Sequence, residues 1–525
     1  MPDPQPVSLE IVAADACSEI FLIDGNFKLV KKGIGRETVS VPPGIYKIKN
    51  RSGQATVERM IVVREGMDPV RLDPVPLNSA MPLLVSTRTH EPHQEVARHA
   101  ADAPGLTLGS GSAIVLVARQ WTAPAPDGAA ETVANPARGL SLHDMAGRLL
   151  ADVEKLTLTQ VKGTFDPCVS LDVALDPGPY RLSLLYANGR RVEQTLIASA
   201  GWQTQVYLLV DNNADKNAAR VDLINGAITL RKPGDPFAPD DPRLREEEIF
   251  RGALRDSRKV LSDEIRSRIV SPSASPMQAL LGAHLLIREM KAGKEESSAP
   301  EDAASASDNL GALRAIVANL RASLGRHPDV EAIASFAGIP DPSFVFEVPP
   351  MLRAGWPLLL DASVQRPASV PDDSLSAGVG ERIWGEGPWL LWLAMGADDK
   401  VDRAALWQAS AQELLTSLRA KVVDTAAEMA ARALPPGTAA STGTLSALRK
   451  VKSIFTRRVR TPFPAVLAAA PEAVREVVLE AVEPQAPPDL RASGAALTDQ
   501  QRKDLVKRLG VPLSRIDAWL RKSEK

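Results

Sequence analysis

Three of the chain's six histidines lie within the stretch THEPHQEVARH at positions 89–99, interleaved with two glutamates. His90, His93 and His99 are therefore side chains of the kind found in metal sites and in acid/base catalysis. A helical zinc motif needs two histidines four positions apart, with Glu directly after the first. The spacing in HEPH is one residue short, and Pro92 is tolerated only in the first turn of a helix.

If a helix begins at Pro92, Glu95 and His99 share one face, and His93 points elsewhere. Three metal ligands then do not converge, and the favoured interpretation is a solvated linker helix. A metal site or an acid/base site is the alternative. Cys17 and Cys168 lack the local signature of a nucleophile and are predicted to be buried structural residues. The sequence assigns no catalytic residue, metal ligand or cofactor.

The bulk composition is that of an ordinary globular protein. A chain of 525 residues exceeds one hydrophobic core and predicts roughly three or four domains. Two cysteines in this length indicate a reducing compartment. No signal peptide is recognisable, and no apolar run approaches the roughly 20 residues that span a bilayer. We therefore expect a cytoplasmic protein without membrane contact, carrying a basic segment at 441–525 with 16 Lys/Arg against 9 Asp/Glu.

Two segments resemble each other. Residues 39–66 read VSVPPGIYKIKNRSGQATVERMIVVREG, and residues 173–201 read VALDPGPYRLSLLYANGRRVEQTLIASAG. Both place a Pro-Gly turn before a tyrosine, and both continue to a Val-Glu pair in the next strand. In the first copy Tyr46 and Ile48 alternate with Lys47 and Lys49, which predicts a strand with one buried face.

These segments resemble the PEGA-like and prealbumin-like β-sandwich modules of bacterial proteins, over about residues 8–76 and 138–210. The resemblance implies a binding or spacer module and brings no catalytic residues. The sequence therefore predicts β-sandwich module 1 at 1–76, a connector at 77–110 and β-sandwich module 2 at 111–236. Residues 112–121 supply an additional first strand to module 2.

From about residue 240 the apolar period changes to that of helices, and Asp241-Pro242 forms a helix start. We predict a helical region at 240–292, a flexible linker at 293–308 and a helical Trp-rich domain at 309–435. His284 lies in an apolar stretch and is expected in the core. The overall expectation is a multidomain α and β chain, with two small antiparallel β-sandwich modules followed by an irregular all-α region.

Five of the eight tryptophans fall between positions 356 and 407. Tryptophan packs cores and also anchors protein interfaces, so both interpretations stay open. The candidate partner-binding residues are Trp384, Trp389 and Trp392. A long amphipathic helix predicted at 401–434 could pack on its own domain or on a partner helix.

The last domain, 441–525, is predicted to be helical and basic. Its residues 497–521 resemble a bacterial helix-turn-helix in the spacing of Gly510, Ile516 and Trp519. That resemblance implies a DNA contact, assisted by the basic run at 449–460. The candidate DNA-binding residues are Arg502, Lys507, Arg508 and Arg515.

Three functional hypotheses follow. The first is a non-enzymatic adaptor or scaffold that binds a protein partner through its helical half. The second is a DNA-binding regulator acting through the C-terminal helices. The third is a metal-dependent enzyme that uses the segment from His90 to His99.

Overall fold

The computed structural model describes residues 5–102, 105–121, 135–156, 167–210, 219–235, 237–296, 301–394 and 499–523. The chain divides into two compact units, Met1–Ala394 and Met395–Lys525. The predicted helix at 401–434 and the basic run at 449–460 lie outside the described residues. Within the described residues, no helix is both long and apolar enough to cross a membrane.

Module 1 is a sandwich of two sheets. One sheet has the order β4-β1-β7 and the other the order β3-β2-β5-β6. The strands are β1 Val7–Val12, β2 Glu19–Asp24, β3 Leu29–Ile34, β4 Arg36–Val41, β5 Gly44–Ser52, β6 Ala55–Val63 and β7 Val70–Arg71. The inward residues of both sheets form one core, in which Tyr46 and Ile48 are buried as predicted, while Lys47 and Lys49 face outward.

Module 2 is a larger sandwich that includes elements far apart in sequence. One sheet has the order β16-β15-β9-β12-β8, and the other has the order β11-β10-β13-β14-β18-β17. The strands are β8 Leu106–Thr107, β9 Ser112–Arg119, β10 Leu140–Asp144, β11 Leu149–Asp152, β12 Cys168–Leu175, β13 Gly178–Leu185, β14 Arg191–Ala198, β15 Gln203–Leu209, β16 Ala227–Arg231, β17 Ile383–Trp384 and β18 Leu391–Leu393. The predicted additional strand at 112–121 is β9.

Each of the seven strands of module 1 has an equivalent strand in module 2. The order β4-β1-β7 matches β12-β9-β15, and β3-β2-β5-β6 matches β11-β10-β13-β14. The Tyr46 hydroxyl donates to the carbonyl oxygen of Pro42 at 2.9 Å, and the Tyr180 hydroxyl donates to that of Asp176 at 2.8 Å. Pairing registers agree as well, because Tyr46 faces Ile61 as Tyr180 faces Leu196.

Two details of the sandwiches differ from the sequence expectation. One sheet of each module is mixed rather than antiparallel, because β1 pairs with β7, β9 with β15 and β12 with β8 in parallel, whereas the sheets that contain β5 and β13 are antiparallel throughout. The predicted connector at 77–110 also contributes structure to module 2. Helix α1, Glu91–Asp102, packs on β9 and β12, and β8 joins the five-stranded sheet.

The helices that follow are α2 Pro242–Asp256, α3 Asp263–Val270, α4 Pro276–Glu296, α5 Glu301–Leu324, α6 Pro328–Phe336, α7 Trp356–Gln365 and α8 Leu375–Val379. Asp241 caps α2 through its carboxylate, which accepts from the backbone N–H of Arg243, as the Asp-Pro signal predicted. Helices α4 and α5 extend into the predicted linker at 293–308, so that prediction is wrong for the helical residues. The expectation of an all-α region is also wrong at 383–393, where β17 and β18 join a sheet of module 2.

The described part of the second unit is a pair of helices, α9 Asp499–Leu509 and α10 Leu513–Ser523. Gly510 follows α9 with a φ of 70°, a left-handed conformation that glycine adopts without strain. Helix α10 begins at Leu513, three residues after Gly510. Val506 and Ile516 are buried, and the two helices pack against each other.

Candidate docking surface

The histidine segment is a packed helix rather than a solvated one. Glu95 and His99 lie on its exposed face with 3.6 Å between Oε1 and Nε2, as the i, i+4 spacing predicted. His93 points inward and is fully buried, and its Nδ1 lies 3.2 Å from Nη1 of Arg119. Burial, assisted by the Arg119 charge, lowers the pKa of His93 to about 3, so its ring is neutral.

Arg119 links part of the predicted connector to module 2 through buried hydrogen bonds. Its guanidinium is fully buried and donates to the carbonyl oxygens of Ala80, Ser79 and Arg88 at 3.0, 3.1 and 2.5 Å. These bonds fasten the segment after module 1 to the end of β9. The sequence signal was an arginine ending an otherwise apolar strand, because a charge at such a position needs buried acceptors.

The three histidines do not form one ligand set, since His93 faces the core and His99 faces outward. In the part of the chain that the structure describes, no group of three or more His, Cys, Asp or Glu side chains could hold a metal ion. Cys17 and Cys168 are free and buried, as predicted. His284 is buried in α4, also as predicted, and burial lowers its pKa to about 3.

Two of the three tryptophans proposed as partner anchors belong to the folded core. Trp389 and Trp392 are each 1% exposed, and the Trp389 indole N–H donates to the carbonyl oxygen of Gly226 at 2.7 Å. Trp384 is half-buried and stacks under the guanidinium of Arg190, 4.5 Å from the ring centroid. Trp389 and Trp392 therefore cannot be exposed anchors in this conformation, because their surface is already packed inside the chain.

Trp389 precedes and Trp392 lies in β18, the strand that covers one edge of module 2. Strand β14 would be the last strand of its sheet, but β18 pairs with it antiparallel, with Glu193 opposite Trp392. Met351 also lies at this edge, because its sulfur is 3.4 Å from the backbone N–H of Ile197. The outer face of β14 is covered too, since Thr195 is 0% and Ile197 is 5% exposed.

A buried carboxylate holds this covering segment in place. Asp329, in the first turn of α6, accepts from the backbone N–H groups of Met351 and Leu352, both at 2.8 Å. Burial raises the pKa of Asp329 to about 7. The element that covers module 2 is therefore fixed by hydrogen bonds as well as by packing.

Strand β6 of module 1 occupies the position that β14 holds in module 2, but nothing in the described residues pairs with its outer edge. By pairing register, Met60 corresponds to Thr195 and Val62 to Ile197. Met60 is 60% and Val62 is 52% exposed, and the cross-strand neighbour of Val62, Ile45, is 59% exposed. We call the outer edge of β6 together with Ile45, Met60 and Val62 the β6 surface.

The sheet that carries the β6 surface is basic. Its four strands contain six Lys/Arg and three Asp/Glu residues. Lys47 pairs with Glu58 at 2.9 Å, and Arg51 and Lys32 both pair with Glu19, at 2.7 and 3.2 Å. Lys49 has no ion pair among the described residues. The uncompensated charge next to the apolar side chains is therefore positive.

Sequence reasoning missed the β6 surface, although a signal was present. In the strand ATVERMIVV, the residues that alternate outward end in Met60 and Val62, beside the inward Ile61 and Val63. A strand that is apolar on both faces is typical of a position covered on both sides. Here the outer side remains exposed in the described chain.

The candidate DNA-binding residues lie on the two C-terminal helices. Lys507 is exposed, and Arg502 and Arg515 are half-buried. The side chains of Arg508 and Trp519 lie outside the described residues.

Comparison with known proteins assigns no family to the chain. No protein-family model matches it, and no curated protein is significantly similar.

Proposed function

We propose that this protein is a non-enzymatic adaptor that binds a protein partner through the β6 surface of module 1. The observation that carries the proposal is the contrast between two equivalent strands. Strand β14 is covered by a strand and a loop of its own chain, whereas β6 is exposed with apolar side chains in the equivalent positions. The proposal keeps the adaptor function expected from the sequence and moves its binding surface from the tryptophans to module 1.

The occupant we propose is an extended segment of another protein that carries apolar and acidic side chains. An exposed sheet edge offers unpaired backbone N–H and C=O groups to an added strand, and this pairing supplies affinity. The apolar side chains of the segment would contact Ile45, Met60 and Val62. Its acidic side chains would meet the positive charge near Lys49.

Selection from a displayed peptide library on the purified full chain tests this proposal without a known partner. We expect the enriched peptides to be extended, with apolar and acidic residues both at every second position, so that they lie on one face of the added strand. A synthetic copy of one enriched peptide is then titrated calorimetrically against three proteins, the wild type, Met60→Lys and Leu149→Lys. Leu149 is the matched control, because it is 52% exposed on strand β11 of module 2.

The expected result is affinity at least about tenfold weaker for Met60→Lys, an effect of about 1.4 kcal/mol, and unchanged affinity for Leu149→Lys. N-methylation of alternate peptide amides should also weaken binding, because it removes main-chain donors. Peptides that bind all three proteins equally would refute the proposal. A dimer in solution that dissociates on Met60→Lys would instead identify a second copy of the chain as the occupant.

A second candidate function is DNA binding by α9 and α10. The observation that favours it is the helix pair itself, joined by a short turn at Gly510 with its positive φ. Exposed Lys507 and half-buried Arg502 would contact phosphates in this case.

A further inference from the structure

A polar cleft of about 340 Å³ opens where module 1, the segment after it, module 2 and helix α2 meet. Gln54, in the hairpin turn between β5 and β6, lines one side, and Asn78 lines another. Asn225, in the turn before β16, and Arg255 of α2 complete the enclosure. The volume lies near the lower limit for small-molecule sites, which often form where domains meet.

The acidic groups in this cleft are already bonded within the protein. Glu248 accepts from the Ser79 hydroxyl at 2.8 Å and pairs with Arg251. Arg251 also donates to the carbonyl oxygens of Asn225 and Gly226. The Asp222 carboxylate accepts from backbone N–H groups of the turn that follows it. The carboxylates of Glu248 and Asp222 therefore already accept hydrogen bonds within the protein and have little capacity left to bind a cation.

The groups at the rim differ, because they keep hydrogen-bond donors that no acceptor in the described residues uses. The half-buried guanidinium of Arg88 has no hydrogen bond or ion pair among the described residues. Arg255 donates from Nε to Asp256 at 3.1 Å and from Nη1 to Asn225 at 2.9 Å, which leaves its Nη2 without a bond in the described chain. The side-chain amides of Gln54 and Asn78 are exposed and can donate as well.

We infer that this cleft binds a small multivalent oxyanion, with Arg88 as its principal charge partner and Arg255 and the rim amides as further donors. A planar guanidinium matches the paired oxygens of a phosphate or a carboxylate, and partial burial strengthens that attraction. Phosphate and carboxylate ligands share this chemistry, and separate titrations distinguish them. The site does not depend on the docking proposal, because Ile45, Met60 and Val62 do not line the cleft.

Calorimetric titration of the full chain with pyrophosphate and, separately, with citrate tests the inference. Trehalose serves as the neutral control. We expect saturable one-site binding of at least one anion, weakened at least about tenfold by Arg88→Gln. Arg64→Gln is the matched control, because Arg64 is exposed, lies outside the cleft and has no partner among the described residues. Binding of pyrophosphate alone assigns a phosphate ligand, and binding of citrate alone assigns a polycarboxylate.

A second variant tests the location without removing charge. Asn78→Trp places a large side chain at an exposed rim position and should abolish binding, while circular dichroism and the melting temperature stay unchanged. Two results would overturn the inference. One is the absence of saturable binding by either anion. The other is equal weakening by Arg88→Gln and Arg64→Gln, which would reduce the effect to general surface charge.

Discussion

Asp172 gives the sharpest test of how module 2 is packed. It lies in the middle of β12, is 8% exposed, and neither carboxylate oxygen has a hydrogen-bond partner in the described chain. Burial raises its pKa from the ordinary 3.8 to about 6. Ionised Asp172 therefore destabilises the fold, and the substitution Asp172→Asn removes that ionisation while nearly preserving the shape.

The sign of the pH dependence follows from the raised pKa. Below about pH 4 the carboxyl is protonated in both the folded and the unfolded chain, and the wild type has its full stability. Between about pH 4 and pH 7 the unfolded chain loses this proton before the folded chain does, so the free energy of unfolding falls as pH rises. The rise of the Asp172 pKa from 3.8 to about 6 corresponds to about 3 kcal/mol.

The assay is urea unfolding of wild type and Asp172→Asn, followed by circular dichroism at pH 4, 6 and 8. We expect the variant to gain about 3 kcal/mol relative to wild type between pH 4 and pH 8. Buried Glu247 and Asp329 also titrate in this range, but both proteins carry them and they cancel in the difference. The change should persist in 1 M salt, because desolvation is not a screened charge interaction. A difference that is the same at pH 4 and pH 8 would refute the reasoning.

Two further predictions separate the hypotheses drawn from the sequence. Trp389→Ala should destabilise the first unit by about 3–5 kcal/mol in urea unfolding, because a fully buried indole leaves a cavity, whereas half-buried Trp384→Ala should cost much less. If both substitutions lower the free energy of unfolding by equal and small amounts, both tryptophans would again be candidates for an exposed binding surface. If α9 and α10 bind DNA, a fluorescence titration should give salt-dependent affinity, and Lys507→Gln should lower the salt slope by about one. Absence of binding at low salt would eliminate that function.

The local structure of the sandwiches could be predicted from sequence because its signals are local. The alternation around Tyr46 and Ile48 identifies a one-sided strand, and the Pro-Gly pairs identify the turns that precede the tyrosines. The Asp241 cap and the Gly510 helix end follow the same logic. Each of these features is decided by residues only a few positions apart.

The covering of module 2 could not be predicted in this way. Gln194 pairs with Leu391, and nearly two hundred residues of chain separate the two strands. Strand β18 has only three residues, too few for a period-two pattern to be distinguished from an apolar helix turn. Its tryptophans indicated a core or an interface, and the structure gives a core formed between two distant parts of one chain.

Comparison of the two modules indicates that exposed β6 is suited to pairing with one complementary strand rather than to nonspecific aggregation. Natural sheets protect free edges with charges, and β6 carries Glu58 paired across the sheet with Lys47 at 2.9 Å. The equivalent pair in module 2, Arg181 and Glu193 at 3.4 Å, is present on β14 although β18 pairs directly with that strand. In module 2, this cross-strand ion pair is therefore compatible with an added strand at the edge of the sheet. We infer that it allows pairing of a complementary segment on β6, while the charges disfavour uniformly apolar strands.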